Sequence, residues 1–167
     1  MMNKIRLKTF LINLIILITV FFIDRLTKYY IVNLAEIENS VDIYVTSYLN
    51  LYLIWNKGIA FGLLSFNDVF IYNIVTSMII IIIIIILIML TKSEGFKKYS
   101  LLFVMGGSLG NLYDRIYYSA VPDFIDFHIN NFHWFIFNVA DIFITFGVIC
   151  LIFDEVFINN KKDEKNV

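Results

Sequence analysis

The sequence alternates long apolar runs with short polar connections. Each run is close to the roughly 20 residues that an α-helix needs to cross a bilayer. The four runs are about Thr9–Val32, Val69–Leu90, Tyr99–Ile116 and His133–Phe157. The second contains consecutive isoleucines and no charge, whereas the third carries three glycines and the fourth carries Asn138 and Asp141. The pattern predicts four transmembrane helices, two of them weak by hydropathy.

Lysine and arginine are unevenly distributed over the connections. The N-terminal tail, the loop between the second and third runs and the C-terminal tail each carry three of them. The two connections on the other side, Asn33–Asp68 and Tyr117–Phe132, together carry only Lys57. Both termini are therefore predicted to be cytoplasmic, which requires an even number of spans. No A-x-A-like cleavage site follows the first run, so it is expected to stay as a span.

The longer outer connection divides into two parts. Asn33–Ser40 is polar and is expected to form a short surface helix. Val41–Leu53 alternates like a β-strand, and Val121–Ile129 is its best candidate partner. Residues 1–167 are interpreted as a single membrane domain with a mobile tail, Asn159–Val167. The predicted fold class is a polytopic α-helical membrane protein with four transmembrane helices and a short surface helix.

Composition supports a membrane protein. Hydrophobic residues make up 60% and charged residues 16% of the 167-residue chain, against about 45–50% and about 25% in soluble domains. The net charge of −1 indicates no nucleic-acid partner, and a single cysteine excludes an internal disulfide. The two histidines, His128 and His133, lack the H-E-x-x-H arrangement, so no metal site is expected.

Small and polar residues share helix faces in the third run. Gly106 and Gly110 have the small-xxx-small spacing by which membrane helices approach closely. Gly107, Asn111 and Asp114 lie at i, i+4 and i+7, on one face. Helix packing alone would explain the glycines, but a packing seam does not need Asn111 or Asp114.

Asp24 and Lys28 are four residues apart in the first run. This spacing predicts an ion pair within one helix. The pair is interpreted as structural, with an added role in orienting the outer ends of neighbouring helices.

Asp141 lies inside the fourth apolar run, where a charge costs roughly 2.5–3.5 kcal/mol on insertion scales and indicates a function by default. Asn138 precedes it by three residues and can orient its carboxylate. Asp123 lies in the predicted outer strand, where Asp123 and Asp126 point to opposite faces. One is expected to face the site and the other water. Two acids that meet in a low-dielectric site share one proton, a state that suits peptide hydrolysis.

Three other interpretations stay open on spacing alone. Asp141 can instead pair with Arg115 or Lys28. A proton-relay or transport protein would use Asp114, Asp141 and Lys28 along a path through the membrane, although the polar residues gather at the outer ends of the spans. A non-catalytic assembly subunit would hold the acids in structural ion pairs.

Five short motifs occur in order along the chain. They are Asp24-x-x-x-Lys28, Asn56-x-Gly58-x-Ala60-Phe61-Gly62, Gly106-Gly107-x-x-Gly110-Asn111-x-x-Asp114-Arg115, Val121-x-Asp123-Phe124-Ile125 and Phe137-Asn138-x-Ala140-Asp141. Each alone is modest, and the second would by itself indicate only a hairpin turn. Together, over about residues 10–155, they resemble the lipoprotein signal peptidase (signal peptidase II) family.

The resemblance implies an aspartyl endopeptidase of the bacterial cytoplasmic (inner) membrane, with its site at the extracytoplasmic face. It would remove the signal peptide of prolipoproteins on the amino side of a diacylglyceryl-modified cysteine, with Asp123 and Asp141 as the catalytic pair. The family's extracytoplasmic β-cradle is assigned to residues 41–62 with 121–129. Membrane lipid and globomycin-type inhibitors are the expected further partners, and a monomer without cofactor is expected.

The resemblance also assigns supporting roles. Substrate-binding or site-supporting positions are Asn56, Gly58, Asn111, Asp114, Arg115 and Asn138. Structural roles are expected for Asp24, Lys28, Gly106, Gly107 and Gly110. Two residues depart from the family's pattern: Ser108 replaces the usual Ala, and Pro122 replaces the usual Val. Pro122 removes a backbone donor beside Asp123 and puts the local strand pairing in question.

Overall fold

The structure is a computed structural model that describes residues 4–58, 69–130 and 132–159. Within these ranges the helices are α1 (Lys4–Glu38), α2 (Val69–Lys92), α3 (Gly95–Tyr118) and α4 (Val139–Phe153), which continues into a π-helical segment (Asp154–Asn159). The strands are β1 (Asp42–Thr46), β2 (Leu49–Asn56), β3 (Val121–Ile129) and β4 (Phe132–Phe137). They form one antiparallel sheet in the order β1-β2-β3-β4.

α3 is the central helix and packs against α1, α2 and α4. Glycines let it approach two of these helices closely. A Cβ at Gly106 would lie 2.7 Å from Cγ1 of Val20 on α1. A Cβ at Gly107 would lie 2.5 Å from the backbone oxygen of Ala140 on α4. An apolar core joins α2 to α3 and comprises Ile83, Ile86, Leu101, Val104 and Met105. The glycines of the third run therefore serve two different helix contacts.

β2 pairs with β3 across the position of Pro122. Ile54 lies opposite Asp123, Trp55 opposite Pro122, and the pairing continues on both sides. The predicted partnership of the outer strand with Val121–Ile129 is thus present. β4 pairs with β3 only from Ile125 onward, so among the described strands Pro122 has a neighbour on the β2 side alone. A proline is tolerated at such an edge position.

Two predicted elements of the outer connection are wrong in detail. Val41–Leu53 is not one strand but contributes to a hairpin of β1 and β2, whose turn is supported by the Tyr48 N–H donating to Thr46 Oγ1 at 3.2 Å. Asn33–Ser40 forms no separate surface helix, because no proline or glycine interrupts α1 before Glu38. The chain turns at Asn39, whose φ of 63° is a left-handed conformation that asparagine adopts more readily than most residues.

The fourth apolar run does not begin as a helix at His133. Its first residues, rich in aromatic side chains, form β4 and pair with β3. α4 begins at Val139, directly after its N-cap Asn138, and has 15 residues. The α-helical part alone is about 22 Å long, and the π-helical continuation to Asn159 extends it toward the roughly 30 Å hydrocarbon core of a bilayer.

Two of the described helices are long and apolar enough to cross a membrane, over Arg6–Glu38 and Val69–Lys92. Only 11% and 17% of their most apolar stretches are buried. Apolar surface exposed on this scale marks contact with an apolar medium or a partner. Residues 59–62 of the expected cradle and residues 160–167 of the expected tail lie outside the described residues.

Candidate active site

β3 and the first turn of α4 bring Asp123 and Asp141 to the wall of one cavity of about 220 Å³. The two residues are 1% and 5% exposed. The other lining residues are Asn56, Ile79, Ile82, Ile83, Ser108, Asn111, Arg115, Val121, Asn138, Ile144 and Thr145. The cavity therefore joins a pair of buried acids to a wall of isoleucines.

Two asparagines hold the Asp123 carboxylate. Asn138 Nδ2 donates to Oδ1 at 2.6 Å, and Asn56 Nδ2 donates to Oδ2 at 2.8 Å. The Gly58 N–H donates to Asn56 Oδ1 at 2.8 Å, which orients the Asn56 amide toward the acid. Each oxygen of Asp123 thus accepts one neutral donor, which fixes the carboxylate without a neutralising cation.

The Asp141 carboxylate is held by one side chain and one backbone group. Asn111 Nδ2 donates to Oδ1 at 2.8 Å, and the Asn138 N–H donates to Oδ2 at 3.2 Å. In return, the Asp141 N–H donates to Asn138 Oδ1 at 3.2 Å, completing a reciprocal capping arrangement at the start of α4. Asn138 orients Asp141 as expected, but through its backbone N–H, because its side-chain NH₂ group serves Asp123.

Burial raises the pKa of the Asp123 carboxyl from its ordinary value of 3.8 to about 7, and the charge of Asp141 adds to this rise. The hydrogen bonds from Asn138 and Asn56, and then the charge of Lys28, oppose it. Carboxyl groups that interact in this way lose their protons in coupled steps. Near neutral pH the pair can therefore hold one proton, as general acid–base chemistry requires.

Lys28 supports Asp141 indirectly. Its Nζ lies 3.0 Å from Asp24 Oδ1 and 2.7 Å from Asp114 Oδ2, so the predicted pair with Asp24 is present. The same Nζ donates to Asn111 Oδ1 at 2.8 Å, and Asn111 in turn donates to Asp141. Asp114 therefore does not line the cavity but lies behind it, in the ion cluster that positions Asn111.

Arg115 lines the cavity with a buried side chain. It is 4% exposed, donates from Nη2 to the Gly58 carbonyl, and its guanidinium carbon lies 5.5 Å from the ring centroid of Tyr72. Within the described part of the chain, neither Arg115 nor Lys28 forms an ion pair with Asp141. The direct ion pair considered from the sequence is therefore not formed.

Asp24 links α1 to α3 and α4. Its Oδ1 accepts from the Ala140 N–H at 3.0 Å, one of the free donors at the start of α4. A Cβ at Gly110 would lie 2.5 Å from its Oδ2, so α3 needs glycine there. Sequence reasoning missed Arg25, which donates to both oxygens of Asp114 and contacts Asp24 at 2.8 Å. Charge balance could have indicated Arg25, because the two buried acids Asp24 and Asp114 carry two negative charges and Lys28 supplies only one positive charge.

Asp126 was expected to face water, and this is wrong. It is 3% exposed, and both of its carboxylate oxygens lie within 3.0 Å of His133 Nδ1 on β4. Asp123 faces the cavity, whereas Asp126 belongs to a separate cluster with the histidines of the β3–β4 hairpin. A partner on the neighbouring strand offsets the cost of burying this second acid.

Comparison with known proteins agrees with the geometry. A family model described as signal peptidase (SPase) II matches residues 16–157. The lipoprotein signal peptidase of Pelagibacter ubique (strain HTCC1062) is 60% identical over 166 residues, covering 99% of this chain and 100% of the relative. The lipoprotein signal peptidase of Rickettsia bellii (strain OSU 85-389) is 40% identical over 155 residues, covering 90% of this chain and 77% of the relative.

A solved structure, that of a bacterial membrane enzyme determined by the in meso method at 2.3 Å resolution, aligns with a TM-score of 0.69 and 31% identity. The alignment covers 92% of this chain and 90% of that structure. A second in meso structure, at 1.9 Å, aligns with a TM-score of 0.68 and 30% identity over 87% and 93% of the two chains. With the family model spanning most of its length, the chain belongs to the signal peptidase II family of membrane peptidases.

Proposed function

We propose that this chain removes the signal peptide from prolipoproteins and that Asp123 and Asp141 activate the water that cleaves the peptide bond. The observation that carries the mechanism is their shared setting: both carboxylates line one cavity, and Asn138 donates to both. The relatives named lipoprotein signal peptidase supply the substrate class.

The pair works with one proton between its two members. The ionised carboxylate takes a proton from water as the water oxygen attacks the scissile carbonyl carbon, and the protonated carboxyl donates to the carbonyl oxygen. Collapse of the tetrahedral intermediate breaks the C–N bond and passes a proton to the leaving amine. The pKa of about 7 at Asp123 supports this scheme, because it allows that group to carry the proton near neutral pH.

The cavity wall supports a lipid-modified substrate. Ile79, Ile82 and Ile83 of α2 line it, and other isoleucines of this helix are exposed to the surroundings, Ile81 to 57%. An acyl chain can lie along such a surface while the peptide reaches the acids. The resemblance to the signal peptidase II family implies cleavage on the amino side of a diacylglyceryl-cysteine, and the isoleucine wall supports the lipid part of that proposal.

Arg115 and the Asn56–Gly58 turn are proposed to bind the substrate backbone. Arg115 lines the cavity, and its Nε and Nη1 have no hydrogen-bond partner among the described residues. A guanidinium with free donors suits a peptide carbonyl. Asn111 and Asn138 are proposed to position the acids, and Asp114 to position Asn111 through Lys28.

The topology proposed for the enzyme is four spans with both termini in the cytoplasm of a bacterium, as the lysine and arginine distribution predicts. α3 and α4 complete the set of spans that α1 and α2 begin, and the sheet forms the extracytoplasmic cradle. Asp141 lies at the start of α4 and Asp114 near the end of α3, both next to the sheet, and Lys28 meets Asp114 from α1 ten residues before that helix ends. A monomer in the inner membrane, without cofactor and sensitive to globomycin-type inhibitors, is part of this proposal.

The test uses Asp123→Asn and Asp141→Asn, each incubated with a diacylglyceryl-modified prolipoprotein. Asp42→Asn, which removes an exposed carboxylate on β1, is the matched control. Both acid variants should lose at least the roughly 10²–10⁴-fold that general acid–base catalysis contributes, while the control cleaves normally. Full activity in either acid variant, with unchanged thermal unfolding, would contradict the assignment of that acid.

A further inference from the structure

The β3–β4 hairpin carries a second cluster of polar side chains, made of Asp126, His128 and His133. Asp126 and His128 are two residues apart on β3, so they point to the same face of the sheet. His133 lies directly opposite His128 in the register of β4 and shares that face. Three side chains with metal-binding chemistry are therefore placed together by strand geometry alone.

The three side chains approach one another closely. Asp126 Oδ2 lies 2.8 Å from His133 Nδ1 and 3.7 Å from His128 Nδ1. One ligand atom from each residue can be chosen so that all three lie within 4.8 Å of one another. Tetrahedral zinc with bonds of about 2.0–2.1 Å places its ligand atoms about 3.3–3.5 Å apart. The first two separations bracket that value, so small side-chain rotations would complete the ligand set.

Two nearby polar atoms are buried without hydrogen-bond partners among the described residues. One is His128 Nδ1, on a residue that is only 9% exposed. The other is Asn50 Oδ1 on β2, opposite Asp126 in the register of the sheet. Buried polar atoms normally have partners. An ion at the cluster would use the first atom as a ligand, and an ion-bound water could donate to the second.

We infer that Asp126, His128 and His133 bind one divalent transition-metal ion, with zinc as the best-suited candidate. Two imidazoles and a carboxylate are ligands that zinc prefers, and the exposed side chain of His133 leaves a route from solvent. The candidate ligands include neither Asp123 nor Asp141. The ion is therefore structural: it ties β3 to β4 near the turn of their hairpin, and its presence does not depend on the peptidase function.

The chain offers a clean test because it has two histidines and one cysteine in total. Full-length protein without a polyhistidine tag is purified in detergent, stripped with EDTA and titrated with Co²⁺, whose visible absorption reports nitrogen ligation. Zn²⁺ is then added as competitor. The variants are His133→Gln, which changes an exposed side chain, and Asp126→Asn, with Asp42→Asn as the control for loss of a carboxylate elsewhere in the sheet.

The wild-type protein and Asp42→Asn should bind one Co²⁺ per chain, and Zn²⁺ should displace it and raise the unfolding temperature. His133→Gln removes a proposed ligand. It should therefore weaken Co²⁺ binding by at least roughly 10–100-fold, which is the loss expected when only a residue hydrogen-bonded to a ligand is changed. Absence of saturable one-to-one binding to the wild type would overturn the inference, as would equal affinity in folded His133→Gln.

Prolipoprotein cleavage by the EDTA-stripped protein is measured in parallel, and its retention supports a structural rather than catalytic ion. Loss of cleavage that Zn²⁺ restores, in protein whose thermal unfolding EDTA leaves unchanged, would overturn that structural role.

Discussion

Asn138 donates its side-chain amide to Asp123 Oδ1 at 2.6 Å, across 15 residues of sequence and from a different secondary-structure element. Its backbone N–H donates to Asp141 Oδ2 at 3.2 Å. One fully buried asparagine therefore sets the relative position of both acids and also caps α4. The same residue couples the stability of the helix to the geometry of the proposed catalytic pair.

Asn138→Ala should impair both properties. Loss of an N-cap costs about 0.5–2 kcal/mol of stability. A hydrogen bond to a charged group contributes about 1.5–3 kcal/mol, which corresponds to a decrease of roughly 10–100-fold in cleavage rate. Cleavage kinetics and thermal unfolding in detergent measure the two effects. Asn73→Ala on α2 replaces an exposed asparagine and should change neither, so equal behaviour of the two variants would argue against the bridging role.

Cleavage should decline as the pH rises through about 7. Asp123 has its pKa raised to about 7 by burial and by the nearby charge of Asp141, so the pair loses its remaining proton above that pH. Without a protonated carboxyl, nothing donates to the scissile carbonyl. A pH profile of kcat/KM on a lipid-modified substrate measures the decline. A profile that stays flat well above this pH would contradict the single-proton scheme.

The raised pKa of Asp123 also predicts how the stability of the protein changes with pH. The folded protein holds the Asp123 proton more tightly than the unfolded chain, whose pKa is near 3.8. Stability from this group is therefore fully present below about pH 4 and is lost as the pH rises to about 7, by on the order of a few kcal/mol. Asp123→Asn should lack this slope. Thermal unfolding of both proteins across that range isolates the contribution of Asp123, and parallel curves would argue against it.

Local spacing predicted part of the site and missed the rest for a physical reason. Asp24 and Lys28 share a helix face, so their pairing follows from the periodicity of one helix. Arg25 is adjacent to Asp24 in sequence, yet its long side chain reaches Asp114 on α3, which spacing within α1 does not indicate. Asn138 was identified as a neighbour of Asp141, whereas its bond to Asp123 depends on how α4 meets β3.

The hairpin was missed for a related reason. The aromatic run from Phe132 to Phe137 looks like the start of a transmembrane helix, because hydropathy does not distinguish an apolar strand from a helix over so few residues. Only pairing with β3 makes it a strand. That pairing also places His133 beside Asp126, so an acid expected to face water is buried instead.

Lys28→Met should destabilise the fold strongly. Lys28 lies between Asp24 and Asp114 with its side chain 2% exposed, and removing one member of a buried ion cluster costs about 3–5 kcal/mol. Lys97 on the surface, 3.7 Å from Glu155, is the matched control, and Lys97→Met should cost about 0–1 kcal/mol. Unfolding in detergent compares the two. Addition of Asp24→Asn to Lys28→Met should recover part of the loss by restoring charge balance, and no recovery would mean that charge is not the cause.

Gly106→Ala and Gly107→Ala should separate packing from catalysis. A Cβ at Gly106 would meet the side chain of Val20 at 2.7 Å, and overpacking of this kind costs about 1–3 kcal/mol. Val20→Ala in the same chain makes room and should restore stability.

A Cβ at Gly107 would instead meet the Ala140 backbone at 2.5 Å, so relief requires a shift of α4 beside Asp141. We therefore expect Gly107→Ala to lower kcat more than Gly106→Ala at comparable loss of stability. Equal kcat in the two variants would show that the α3–α4 contact does not control the position of the acid.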